Sequence, residues 1–244
     1  DPRKAPAALA TVPYVEQTFG AYHVAGGVRR LADALHARTL ERGVTYRMPS
    51  DVEEVLTDSA RVTGVRLTTG ERLDADVVVA NADATHLYRD LLRDPRAAEP
   101  LKRLRSATPS LSGFVLLLAV RGRTPGLLHH NVWFPADYDA EFDAIFGRDP
   151  KPVDDPTVYV CAPDDDAMRP DAGHESWFVL VNAPRHSTTG ERGTVDWTVP
   201  GLAQSYRDRV LAVMASRGYD VRDRLQWSEI RTPADLEHST RAPG

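Results

Sequence analysis

Apolar positions recur with helical period in only a few stretches of the chain. Val28, Leu31, Ala32 and Leu35 fall at i, i+3, i+4 and i+7, so a helix is expected just after Gly26-Gly27, with Gly43 placed where a C-terminal cap belongs. Residues 1–25 carry few periodic signals, and Pro2, Pro6 and Pro13 limit helix there to a short piece. Residues 44–48 and 52–56 predict two short strands. Residues 61–67 alternate as a strand, Thr69-Gly70 turns the chain, and Arg72 and Leu73 lead it back. The run Asp76-Val77-Val78-Val79-Ala80 is continuous in the way expected of a strand buried on both faces. A helix follows over 85–92.

The pattern changes near residue 105. Residues 111–120, 131–134, 157–161 and 177–182 read as strands rich in β-branched and aromatic side chains. The loops 148–156 and 163–173 between them are crowded with Asp, Pro and Gly. Helices are expected over 139–146 and 202–217, the second with Tyr206, Val210 and Val213 on one face. There is no internal repeat. Two units are expected, with a boundary near 105, and the fold class is α/β (α+β) with a β-rich second part.

Composition narrows the function classes. Apolar residues at 42% and charged ones at 27% are ordinary for a soluble globular protein, so a disordered chain is not the leading reading. A net charge of -5 argues against a nucleic-acid partner, since phosphate binding needs a cationic surface. The one cysteine, Cys161, has no partner for an internal disulfide and fits a reducing compartment. No apolar run approaches the roughly 20 residues that span a bilayer. The start Asp1-Pro2-Arg3-Lys4 lacks the apolar core of a signal peptide, and both ends read as cuts.

The local chemistry is sparse. Neither G-x-G-x-x-G nor G-x-x-x-x-G-K-[ST] is present. Gly26-Gly27 ahead of a helix is the only glycine pair that would bring backbone N–H groups to an anion. His129 and His130 are adjacent, so on a strand they would point to opposite faces and would not share a metal ion. His174 and His186 fall in expected loops at no ligand-like spacing, and no metal is expected. Asp164-Asp165-Asp166 reads as a solvated loop, and no G-x-S-x-G elbow marks a nucleophile.

Several stretches together resemble the bacterial-type phytoene desaturases (phytoene dehydrogenases), flavoproteins of the amine-oxidase-like superfamily. They are Ala5-Pro6-Ala7 through Tyr14-Val15-Glu16, then Phe19-Gly20 and Gly26-Gly27; Val79-Ala80-Asn81-Ala82-Asp83 continuing to His86-Leu87-Tyr88-Arg89-Asp90-Leu91-Leu92; and Leu128-His129-His130-Asn131-Val132-Trp133-Phe134 with Phe142-Asp143 and Ile145-Phe146 behind it. Tyr159-Val160-Cys161-Ala162-Pro163, Asp196-Trp197-Thr198 and Thr232-Pro233-Ala234-Asp235 continue the match in family order. Val24 departs from it, because relatives commonly carry Pro before the Gly-Gly, and residues 186–194 match poorly.

The resemblance implies FAD as cofactor and a discontinuous Rossmann-type FAD domain. The G-x-G-x-x-G unit and the C-terminal flavin segment of that domain are not in this chain. It implies that 1–105 is the middle of the FAD-binding domain, 106–225 a β-sheet-rich substrate domain with helices on one face, and 226–244 the start of the return to the FAD domain. Val52 is then expected to pair with adenine through its backbone. Gly26 and Gly27 are expected near the flavin, and Ala80, Asn81 and Ala82 at a strand end beside the cofactor. The implied reaction is desaturation of a long polyene hydrocarbon such as phytoene, in carotenoid biosynthesis, by hydride transfer to flavin. The implied location is cytoplasmic, peripheral to the inner face of the membrane. His129 and His130 are the only candidates for a catalytic side chain. A relative acting on another carotenoid (an isomerase, a diapocarotenoid desaturase or a ketolase) stays open, as does a non-catalytic piece that is inactive by itself.

Overall fold

A computed structural model describes residues 5–59, 61–107 and 109–243. Residues 1–4, where Pro2 argues against helix, lie outside these. The first sheet joins β1 (Val52–Asp58), β2 (Arg61–Leu67) and β3 (Arg72–Asp74) as an antiparallel meander. Its β2–β3 hairpin turns at Thr69-Gly70 as expected, with the Gly70 N–H bonded to the Leu67 carbonyl at 2.9 Å. In β2, a Cβ on Gly64 would stand 2.1 Å from the Leu73 carbonyl oxygen, so β3 approaches this closely only because the residue is glycine. β1 pairs with β2 alone, which leaves the outer edge of β1, including Val52, outside any ladder among the described residues.

The second sheet is larger. β4 (Ser112–Arg121), β5 (His130–Trp133), β6 (Val158–Cys161) and β7 (His174–Ala183) belong to it, followed by a two-residue parallel bridge of β8 (Arg185–His186) with β9 (Thr194–Val195) outside it. With β10 (Leu225–Arg231) the order is β10-β4-β7-β6-β5, antiparallel throughout. β4 and β7 pair without a slip from Ser112↔Ala183 to Arg121↔His174. Strict alternation then sorts their side chains onto two faces.

One face is the core. Phe114, Leu116, Leu118, Val120, Val158, Val160, Trp177, Val179 and Val181 are buried there together with Tyr206, Val210, Val213 and Met214 of helix α6 (Leu202–Ser216). Each such side chain contributes about 1.5–3 kcal/mol when fully buried. The Tyr206, Val210 and Val213 stripe read from the sequence is therefore the packed face of α6. The opposite face carries Leu117, Ala119, Tyr159, Cys161, Ser176 and Phe178, which are only half-buried or exposed.

Helix α5 (Tyr138–Phe146) is N-capped by Asp137, whose carboxylate accepts from the Ala140 N–H at 3.0 Å. It buries Phe142, Ile145 and the whole of Glu141. The Glu141 carboxyl accepts from the Thr157 N–H at 3.0 Å, the Thr157 hydroxyl at 2.5 Å and the Asn182 amide at 2.9 Å. One side chain thus ties α5 to β7 and to the residue that leads into β6.

Two expected strands do not form. Residues 44–48 join no ladder, and neither do residues 76–80, whose Val77 and Val79 are 74% and 88% exposed. An extended apolar run becomes a buried strand only when neighbours supply its hydrogen bonds and cover its faces, and no described strand does so here. Helices α1 (Thr11–Phe19) and α2 (Arg29–Glu41) form, α2 where the periodicity predicts it, yet neither holds a buried residue. The expected helix over 85–92 begins as α3 (Ala84–His86), capped by Asp83, and continues as a π-helical turn over Leu87–Leu91. Helices α4 (Ala98–Ser106) and α7 (Pro233–Thr240) complete the set, the latter opened by a Thr232/Asp235 capping box. No helix among the described residues is long and apolar enough to cross a membrane.

Candidate functional site

Four of the residues singled out in the sequence meet in one cavity. Val52 and Val55 of β1, Val65 of β2, residues 78–82 and the C-terminal end of α7 line a space of about 390 Å³. Val52, Ala80, Asn81 and Ala82 are all on its wall, although the strand that was to carry the last three is absent. Asp51, His86, His238 and Arg241 add polar groups that sequence reasoning did not pick out, and an Arg241–Asp51 ion pair at 2.9 Å bridges the chain across 190 positions. Only the return of α7 brings His238 and Arg241 here, and no local motif announces it.

Gly26 and Gly27 do not line that cavity. Both adopt positive φ, 79° and 87°, which L side chains rarely tolerate. The Gly26 N–H donates to the Asp165 carboxylate at 2.7 Å, and the same carboxylate bonds the His23 ring at 2.8 Å. An anion therefore does sit on the glycine turn, supplied by the protein itself. The His23 bond first, then the Gly26 and Ala167 amides, hold Asp165 down to about 2. This corrects the reading of residues 164–166 as solvated throughout. Asp164 and Asp166 are exposed, whereas Asp165 turns inward, because its backbone opens a 3₁₀ turn over Asp166–Met168. Met168 in turn packs where a Cβ on Gly27 would stand, 3.1 Å away.

The same loop bounds a second cavity on the open face of the large sheet. It measures about 350 Å³, its wall is mostly apolar, and it includes Leu117, Ala119, Cys161, Met168, Phe178 and Trp227. The pairing of β4 with β7 places Leu117 opposite Phe178, and that of β6 with β7 places Cys161 opposite Phe178. The alternation read from residues 111–120 and 177–182 thus produces an apolar cleft within one sheet.

His129 and His130 stand beside Cys161 at this cleft, and not on opposite faces as expected. His129 lies in the bend before β5, where strand alternation does not hold, and only His130 belongs to the strand. Their ring centroids are 4.5 Å apart, and the His23 ring lies 4.9 Å from that of His129. Burial, then the neighbouring His130 and His23, push the His129 pKa down, which favours a neutral imidazole. The His130 Nδ1 bonds the Tyr159 hydroxyl at 2.8 Å. The other two histidines differ from expectation as well: His174 opens β7 and pairs with Asp171, and His186 lies in β8 with its Nδ1 accepting from the Trp197 N–H at 3.2 Å.

A family model described as flavin containing amine oxidoreductase matches residues 5–220. The chain belongs to this family. Membership implies an FAD cofactor. Among curated relatives, the zeta-carotene-forming phytoene desaturase of Myxococcus xanthus is 37% identical over 89% of the chain and 40% of its own length. The 4,4'-diapolycopene oxygenase of a Methylomonas species is 33% identical over 97% of the chain and 46% of its own length. The chain therefore spans less than half the length of these relatives. A solved oxidoreductase of Methanosarcina mazei aligns with a TM-score of 0.54 at 15% identity, covering 84% of the chain and 42% of that structure, and shows a shared fold.

Proposed function

We propose that the protein carrying this chain is an FAD-dependent desaturase of a long polyene hydrocarbon, phytoene or a close relative. The observation that carries the reading is the apolar cleft on the open sheet face, placed against the Gly26-Gly27 turn, in a member of a flavin-containing family. Residues 1–105 would then serve the cofactor, 106–225 the substrate, and 226–244 the return toward the cofactor.

Bound FAD supplies a hydride acceptor. This chain's own residues bind, orient and keep water away. Leu117, Ala119, Phe178 and Trp227 offer the hydrocarbon an apolar wall without a charged group. Each desaturation breaks two C–H bonds on adjacent carbons and forms one C=C bond. FAD would accept one hydrogen with its electron pair, and the other would leave as a proton by the polar rim where His23, His129 and His130 stand. Turnover then needs an external electron acceptor. A substrate of this kind resides in a bilayer, so the enzyme would work at a membrane surface. Expression of the full-length protein in a phytoene-accumulating bacterium tests the reading. New, longer-chromophore pigments are expected, and unchanged phytoene with FAD bound would refute it.

For the cofactor, the cavity at β1 fits an adenine pairing with the free edge of a strand. Val52 would hold it by backbone, with Ala80, Asn81 and Ala82 alongside. In the full-length protein Val52→Ala is then expected to leave FAD affinity nearly intact. Val52→Pro removes the N–H and costs about 1–3 kcal/mol or more. Calorimetric titration of the apoprotein with FAD measures both, and equal losses would assign the site to side-chain packing instead.

A further inference from the structure

We propose that His129, His130 and Cys161 form a binding site for a thiophilic divalent cation, Zn²⁺ being the best match. One ligand atom from each of the three lies within 4.8 Å of the others. Around a single Zn²⁺, with about 2.0–2.1 Å to nitrogen and about 2.3 Å to sulfur, tetrahedral donors stand about 3.5 Å apart. Binding would draw the three donors closer together, His130 being the exposed member of the set.

The placement follows from the fold rather than from sequence spacing. His130 and Cys161 are direct cross-strand partners in the β5–β6 ladder, so their side chains share one face of the sheet. His129 is brought alongside by the bend before β5, which the bond from the Ala162 N–H to the His129 carbonyl, 2.9 Å, anchors to the end of β6. Two imidazoles and one thiolate are a donor set that a borderline-soft cation prefers over Mg²⁺ or Ca²⁺.

The surroundings suit a cation as well. The His130 Nδ1 bonds the Tyr159 hydroxyl at 2.8 Å, an outer hydrogen-bond partner for a ring that would offer Nε2 to the metal. Among the described residues the His129 ring takes one hydrogen bond, a long one from the Asp164 N–H to Nδ1 at 3.4 Å, which a metal at that atom would replace at little cost. Three protein ligands leave a fourth position for water.

The single cysteine makes the test unambiguous, because a metal–thiolate signal has one source. Titration of the metal-free chain with Co²⁺ is expected to raise a near-ultraviolet thiolate-to-cobalt charge-transfer band that saturates at about one equivalent and is displaced by Zn²⁺. His130→Ala is expected to weaken Co²⁺ binding about tenfold or more, and Tyr159→Phe to weaken it by a similar factor at most. Cys161→Ser, with an unchanged circular dichroism spectrum, is expected to lose the band. An independent measurement needs no variant: Zn²⁺ is expected to slow alkylation of Cys161 by iodoacetamide. Absence of the Co²⁺ band, or alkylation at the same rate with and without Zn²⁺, would overturn the proposal, as would unchanged affinity in His130→Ala.

Discussion

Glu141→Ala is expected to destabilise the chain by about 3–5 kcal/mol, the largest loss from any single polar truncation in the large-sheet unit. Glu141 is fully buried and its carboxyl satisfies three donors at once, two from Thr157 and one from Asn182. Truncation leaves those half-buried donors without their acceptor, at about 1–3 kcal/mol for each unsatisfied group, and opens a cavity besides. The losses are not additive, because relaxation re-pairs some of the donors. Glu141→Gln separates hydrogen bonding from packing. Its amide oxygen still accepts from Thr157, and a flip of the Asn182 amide turns an acceptor toward the new NH₂ group. A smaller loss, about 1–2 kcal/mol, is expected for this variant. Urea unfolding followed by Trp fluorescence measures both. A Glu141→Ala midpoint indistinguishable from the parent's would mean that α5 is not held through this side chain.

Phe178→Asp is expected to cut pigment formation about 30-fold or more while the sheet persists. Phe178 is 38% exposed and lies between Leu117 and Cys161 on the open face, so its replacement removes no core contact of the α6 side. In the cleft, however, a carboxylate would have to shed water against hydrocarbon, at a cost of about 2 kcal/mol or more. Phe178→Leu keeps the wall apolar and is expected to retain most of the colour. The full-length protein in a phytoene-accumulating host, with its flavin absorbance and circular dichroism as controls, gives the measurement. Undiminished colour from Phe178→Asp would place the hydrocarbon elsewhere, even if the desaturase activity itself stands.

The two kinds of site residue differed in how well they could be read. Val52, Ala80, Asn81 and Ala82 are expected at the cofactor through resemblance alone and line one cavity, although the strand expected over 76–80 does not form. Gly26 and Gly27 are expected near the flavin as a pair whose backbone N–H groups suit an anion, and the carboxylate on the Gly26 N–H comes from Asp165, 139 residues away. Nothing in the run 164–166 distinguishes its middle member, because all three are acids. The exposure of Asp164 and Asp166 and the inward turn of Asp165 follow from the 3₁₀ geometry of the loop. His129 and His130 were misjudged for a related reason: a period-two argument is valid only within a strand, and β5 starts at His130.

By itself the sequence determined the features that depend on neighbours along the chain. Alternation over residues 111–120 and 177–182 dictated which side chains of β4 and β7 share a face, since successive residues in any strand must point to opposite sides. The 3.6-residue period dictated α2 and α6, and Thr69-Gly70 the β2–β3 turn. Tertiary structure alone decided what those faces meet. The stripe of α6 finds the sheet and becomes core, whereas that of α2 and the run 76–80 find no partner among the described residues and stay exposed. It also decided that His129, His130 and Cys161 converge, because the pairing of β5 with β6 is a contact between distant segments. Local propensity depends on the few nearest residues, and pairing depends on hydrogen bonds and burial that only a distant partner supplies.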